Sequence, residues 1–192
     1  ARPGASELGL HWAWLPADSR MPSHSAHVHQ GLTSAIATVL ATGDEPALLL
    51  FTVGPVQGFI AQARRTGDLF AGSRLLSMSL VEAMAPVVTG LGPDHVLFPN
   101  LRSSAAFWNW AGKEIYPDGV LPEGVPVDDT FSALPNRFLA VVPAGQARAI
   151  GEACEGRLRA WWDDRVTAAT AEIDGAPGFA GFSGMAREQV LA

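Results

Sequence analysis

Cysteine is nearly absent from this 192-residue sequence: Cys154 stands alone. That excludes an internal disulfide and a cysteine-based zinc site, and a lone thiol fits a reducing cytoplasm. Basic residues are scarce, 13 Lys and Arg against 19 Asp and Glu, for a formal net charge of −6. A module that bound nucleic acid on its own would carry the opposite balance. Long apolar runs are missing too. None approaches the roughly 20 residues of a membrane-spanning helix, and no signal-peptide pattern is visible, so no membrane partner is expected. No Gly-Lys-Ser/Thr or Gly-x-Gly-x-x-Gly follows a strand, which excludes the P-loop and the dinucleotide fingerprint. The chain opens Ala1-Arg2-Pro3 without an initiator methionine, and is expected to be part of something larger.

What is present describes a globular protein: 48% hydrophobic and 17% charged residues, enough chain for one domain with a full core plus an appendage. Its organising stretch is LLLFTVGPVQGFIAQARRTGDLFAGSRLL, Leu48 to Leu76. The continuous apolar run Ala47 to Val53 predicts a strand buried on both faces. Gly54-Pro55 breaks it, and helical spacing runs from Val56 to about Thr66, with Phe59, Ile60, Ala63 and later Phe70 toward a sheet. Gly67-Asp68 interrupts that helix. Ala71-Gly72-Ser73 then opens a second one, Arg74 to about Val88, with Ser73 as its N-cap. A strand feeding a glycine turn and helix starts directs backbone N–H groups outward, a natural cradle for phosphate. On these residues alone, an ordinary strand–turn–helix packing unit is the simpler reading.

The remaining chain reads in order. Residues 1–20 form an irregular lead-in with Trp12 and Trp14. Ser25 to Ala41 is helical, with Val28, Leu32, Ala35, Ile36 and Leu40 at three- and four-residue steps. His95 to Phe98 is a short strand. Residues 99–135 carry five prolines and the cluster Phe107-Trp108-Asn109-Trp110. That cluster either pins its own loop to the domain, the favoured reading, or offers a base-stacking platform. Arg137 to Val142 is a third strand. Gln146 to Ile173 is a long amphipathic helix whose stripe of Ile150, Cys154, Leu158, Trp161, Trp162 and Val166 is core, with Glu155 and Arg159 paired on the other side. Asp163-Asp164 reads as a solvated face, and 174–184 as a glycine-rich loop. The order strand–helix–strand–loop–strand–helix is that of a ferredoxin-like βαββαβ fold, α+β in class, whose last strand falls at Gln189-Val190-Leu191 or beyond.

Three stretches together resemble a known family. FTVGPVQGFIAQARRTGDLFAGSRLLS, PADSRMPSHSAHVHQGLTSAIA and LPNRFLAVVP are similar to the large subunit of type III CRISPR effector complexes, most closely the Cmr type. The likeness covers roughly residues 15–143. In that family an HD nuclease domain precedes two polymerase/cyclase-like Palm domains. The resemblance implies the end of the HD region over 1–44 and the first Palm, a degenerate one, over 45–192. It also implies that ATP is turned into cyclic oligoadenylate between the two Palms, in a complex with other subunits, guide RNA and target RNA.

Catalytic Palms hold two metal ions on carboxylates at the first strand's end and on the next hairpin. Here that strand ends Phe51-Thr52-Val53, and no Gly-Gly-Asp-Asp occurs. Asp128-Asp129 lies in the long loop rather than a tight hairpin. No His-Asp nuclease pair is present, although His24 and His29 match family histidines; with His27 they are expected to be solvated or hydrogen-bonded rather than metal ligands. No residue is expected to be catalytic, and the divalent metal is expected on residues outside this chain. The expected nucleotide contacts are Gly54, Pro55, Gln57, Gly58, Arg64, Arg65, Gly72 and Ser73, in half of an ATP pocket completed by the second Palm. For Arg64 and Arg65 the rival role is a salt bridge to another subunit. The rival function is a scaffold Palm that binds protein partners and no nucleotide.

Overall fold

The computed structural model describes Pro16 and residues 24–116, 118–128 and 134–175. Its elements are α1 (Ala26–Ala41), β1 (Pro46–Thr52), α2 (Val56–Ile60), α3 (Thr66–Gly90), β2 (Val96–Phe98), α4 (Ala105–Glu114), β3 (Arg137–Pro143) and α5 (Ala147–Asp174). The strands form one antiparallel sheet in the order β1-β3-β2. β3 therefore lies between two strands that precede it, a split β-α-β arrangement within an α+β fold. The suggested last strand at 189–191, the lead-in tryptophans, Asp129 and most of the glycine-rich tail lie outside the described residues.

Alternation along the strands assigns the two faces. Phe51, Phe138, Ala140, Val142 and Val96 pack inward against α3, α4 and α5. Phe51 and Phe138, cross-strand partners, stack with centroids 5.3 Å apart. Outward, α1 lays Ala35 and Val39 on Val141, with Leu32, Ile36 and Leu97 beside them. β1 is not buried on both faces as its apolar run predicts. Its burial alternates, and Leu48 and Leu50 are 67% and 63% exposed. The reason is position: β1 is an edge strand, and α1 packs chiefly on β3 and on the turn Pro93–His95 that leads into β2.

Two helix boundaries also differ from the sequence reading. α2 is barely more than one turn, and the break falls at residues 61–65, not at Gly67-Asp68. The carboxylate of Asp68 draws the boundary there, accepting the backbone N–H groups of Arg64 (3.0 Å) and Arg65 (3.1 Å) just ahead of α3. Gly72 and Ser73 consequently lie inside α3, so Ser73 is no N-cap. Phe59 and Phe70 are not buried in the core; they are 38% and 48% exposed.

The segment 99–135, read as irregular, contains α4. Ser104 caps it by accepting the Phe107 N–H at 3.2 Å, and Phe107, Trp110 and Ala111 are buried in the main core. Trp108 donates its indole N–H to the Arg102 carbonyl at 3.0 Å. Burial rules out the stacking platform for Phe107 and Trp110, and the cluster anchors its own segment. Buried Ser77 of α3 donates to the Ser73 carbonyl and accepts the Leu134 N–H at 2.9 Å, tying the chain's return into β3.

Candidate functional site

Where β1 leaves the sheet, β3 holds it. The Val53 N–H donates to the Asn136 carbonyl at 2.8 Å, and Asn136 Nδ2 donates to the Val53 carbonyl at 2.9 Å. This reciprocal clamp fixes the turn at Gly54-Pro55 on the rim of a cleft of about 700 Å³. One wall is Phe51 to Val56 with Phe59; a second is Leu76 and Ser79 of α3; the third is Glu155, Leu158, Arg159, Trp162 and Asp163 of α5. Gly54 has ordinary negative-side φ and open space where a Cβ would sit. The backbone at the turn is thus open to approach by a ligand.

The nucleotide contacts expected from sequence are distributed unequally. Gly54 and Pro55 line the cleft. Gly72 reaches it indirectly, because a Cβ there would stand 3.2 Å from Cε1 of Phe59, which lines the cleft. Ser73 is half-buried one residue further along α3, with its carbonyl engaged by Ser77. Gln57, Gly58, Arg64 and Arg65 are exposed and do not line the cleft. The helix-start cradle at Gly72-Ser73 does not exist, since both residues are within α3.

Sequence reasoning missed the third wall. Arg159 donates from Nε (3.0 Å) and Nη2 (2.7 Å) to one oxygen of Glu155. The pair is an i,i+4 surface bridge as expected, yet it also flanks the turn. The adjacent tryptophans supply the overlooked signal: neighbours on a helix point about 100° apart, so both cannot enter one stripe. Trp162 goes to this cleft, whereas Trp161 lines a second one of about 680 Å³ with Arg165 over its ring. Asp163 and Asp164 part in the same way. In that second cleft Arg157 bridges Glu82 (2.8 Å) and Glu114 (3.4 Å), which raises its pKa, first through the Glu82 hydrogen bond.

Elsewhere, His24 Nε2 and His29 Nδ1 are 3.1 Å apart with the rings stacked. They are hydrogen-bonded histidines, as expected. His27 titrates below the ordinary histidine range, chiefly through burial and then through Arg102, with Asp94 opposing. Among the described residues, no three His, Cys, Asp or Glu side chains converge as metal ligands. Burial pushes the Cys154 thiol up to about 11, so it packs as an apolar side chain.

The family model for CRISPR-associated protein Cmr2, N-terminal, matches residues 48–167. The chain belongs to the Cmr2 family. The match begins in β1 and runs through most of α5, so it takes in all three walls of the cleft. The Cmr subunit Cmr2 of Pyrococcus furiosus is 37% identical over 145 residues, 76% of this chain but 15% of that protein. The Cmr2 of Saccharolobus solfataricus is 33% identical over 91 residues, 45% of this chain and 9% of its own length. This chain thus spans under a sixth of either Cmr2 relative. Two solved structures share the fold: a type III-B Cmr-beta complex in its apo state (TM-score 0.62, 21% identity, 85% of this chain and 20% of that one) and the same type bound to cognate target RNA (TM-score 0.61, 21% identity, 83% and 19%). No described helix is long and apolar enough to cross a membrane.

Proposed function

We propose that this Cmr2-family chain is the first, degenerate Palm domain of a type III Cmr large subunit, residues 45–192, preceded over 1–44 by the end of the HD region. Its role is to supply one half of an ATP pocket for cyclic oligoadenylate synthesis, and to dock neighbouring subunits around guide and target RNA. The observation that carries this reading is the cleft at the end of β1. Its turn is clamped by Asn136, backbone is exposed at Gly54, and aromatic walls stand at Phe59 and Trp162. The split strand order supports the ferredoxin-like assignment: the outer edge of β1 is where such a sheet takes its fourth strand.

In this reading the cleft binds and orients: its carboxylates, Glu155 and Asp163, lie on α5 and not at the end of β1, and Glu155 is paired with Arg159. Phe59 and Trp162 offer flat apolar surface to a nucleobase, and Arg159 keeps N–H donors beyond the two given to Glu155 for a phosphate oxygen. β1 ends at Thr52 without an acid, so in this reading the carboxylates that would hold two divalent ions belong to the second Palm.

The test is direct. Purified chain incubated with ATP and magnesium or manganese is expected to form no oligoadenylate, whereas the full-length subunit in its complex does. Metal-dependent product from this chain alone would overturn the degenerate-Palm reading. The scaffold alternative has its own observation in the exposed Leu48 and Leu50, which point to a packing partner rather than a nucleotide.

A further inference from the structure

At the end of β1 the side chain of Asn136 does what its own backbone would do in a regular sheet. In a hydrogen-bonded antiparallel pair, each residue gives its N–H to the other's carbonyl. Val53 keeps its half, donating to the Asn136 carbonyl at 2.8 Å. The other half comes from Nδ2 of Asn136, which reaches the Val53 carbonyl at 2.9 Å. The chain bends at Asn136. Just before it, Pro135 has no N–H to offer, and Leu134 donates its own to the buried Ser77 hydroxyl of α3 at 2.9 Å. Val53 and Gly54 stand in one wall of the cleft; Leu76 and Ser79, on either side of Ser77, stand in another. The segment 134–136 thus ties one wall to the other through two side-chain hydrogen bonds, while Asn136 itself does not line the cleft.

We propose that Asn136 is a positioning residue for the nucleotide: its side-chain amide sets the distance between the Gly54-Pro55 turn and α3, and with it the fit of the cleft to ATP. This assignment rests on the ATP-pocket reading. Its chemistry is specific to an amide. Aspartate has the same shape but, when ionised, has no donor and sets a carboxylate oxygen against the Val53 carbonyl. Alanine leaves that carbonyl without the side-chain donor, and the turn settles elsewhere. Neither change alters a side chain that lines the cleft, so the walls keep their chemistry and lose their spacing. Contacts of the turn that ground state and transition state share act on KM rather than kcat.

The experiment compares wild type, Asn136→Asp and Asn136→Ala, each as the full-length subunit in its assembled complex with guide and target RNA. The apparent KM for ATP and the kcat of oligoadenylate synthesis are measured, together with amide hydrogen exchange at residues 53–60 without ATP. Exchange there is expected to quicken in both variants. KM should rise about three- to tenfold, the span of one lost hydrogen bond, with aspartate the worse of the two. Turnover should fall less than about twofold, and RNA cleavage should persist. A merely structural role gives the opposite split, since fewer folded molecules lower the apparent kcat at unchanged KM. That split, unchanged exchange at 53–60, or faster exchange with KM unmoved would each overturn the assignment. Wild-type exchange at 53–60 that ATP does not slow would sink the pocket reading and the assignment with it. The comparison without ATP tells that case from a failure of the Asn136 tie alone.

Discussion

Gly72→Val in the full-length subunit is expected to cut cyclic oligoadenylate synthesis by far more than tenfold while guide-directed RNA cleavage by the assembled complex persists. The effect does not come from backbone freedom, because Gly72 is helical and lacks a positive φ. It comes from Phe59, whose Cε1 lies 3.2 Å from where a Cβ would stand. A single methyl asks the half-exposed ring to yield by a few tenths of an ångström, so Gly72→Ala is expected to be mild. Valine adds two branches and drives the ring into the cleft. A displacement of about 1 Å in a positioning group can cost about 10²-fold in rate. Ser73→Ala removes at most one neutral hydrogen bond and should cost no more than about tenfold. Loss of RNA cleavage or of assembly together with synthesis would make α2 and α3 a packing unit, and the scaffold reading would replace the pocket.

Phe138→Ala is expected to destabilise this chain by about 3–5 kcal/mol, a large part of the ~5–15 kcal/mol that holds a domain together. Phe138 is fully buried, stacks on Phe51, and belongs to the cluster that joins α3, α4 and α5 to the sheet. Leu50→Ala, two residues along β1 from Thr52 and 63% exposed, should change stability by within about 0.5 kcal/mol. Urea unfolding followed by tryptophan emission gives both numbers. A Phe138→Ala loss below about 1 kcal/mol would show that the main core is not built around this ring.

The contrast between those two residues marks the limit of what a sequence discloses. The run from Ala47 to Val53 is uniformly apolar, and nothing in it distinguishes Phe51 from Leu50. Only the edge position of β1 and the offset of α1 do so. Helices α1 and α5, and strands β2 and β3, were legible from periodicity and bracketing prolines. The aromatic cluster at 107–110 reads as pinning rather than stacking, but its helix is hidden among prolines. The sequence pattern misplaces the α3 boundary because Gly67 looks like a breaker, whereas the side chain of Asp68 holds the break at residues 61–65. At the site, Gly54 and Pro55 were legible because a turn after a buried strand has local signs. Arg159 and Trp162 were not: an i,i+4 charge pair on a helix reads as a solvated face. Its meeting with a strand end about a hundred residues away is a fact of packing.

Amide hydrogen exchange in the assembled complex, with and without ATP, tests the pocket most directly. The account expects nucleotide to slow exchange at residues 53–60, at 72–79 in α3 and at 155–163 in α5, the three walls of one cleft. Exchange at these walls unchanged by ATP, with protection confined to other parts of the subunit, would contradict it.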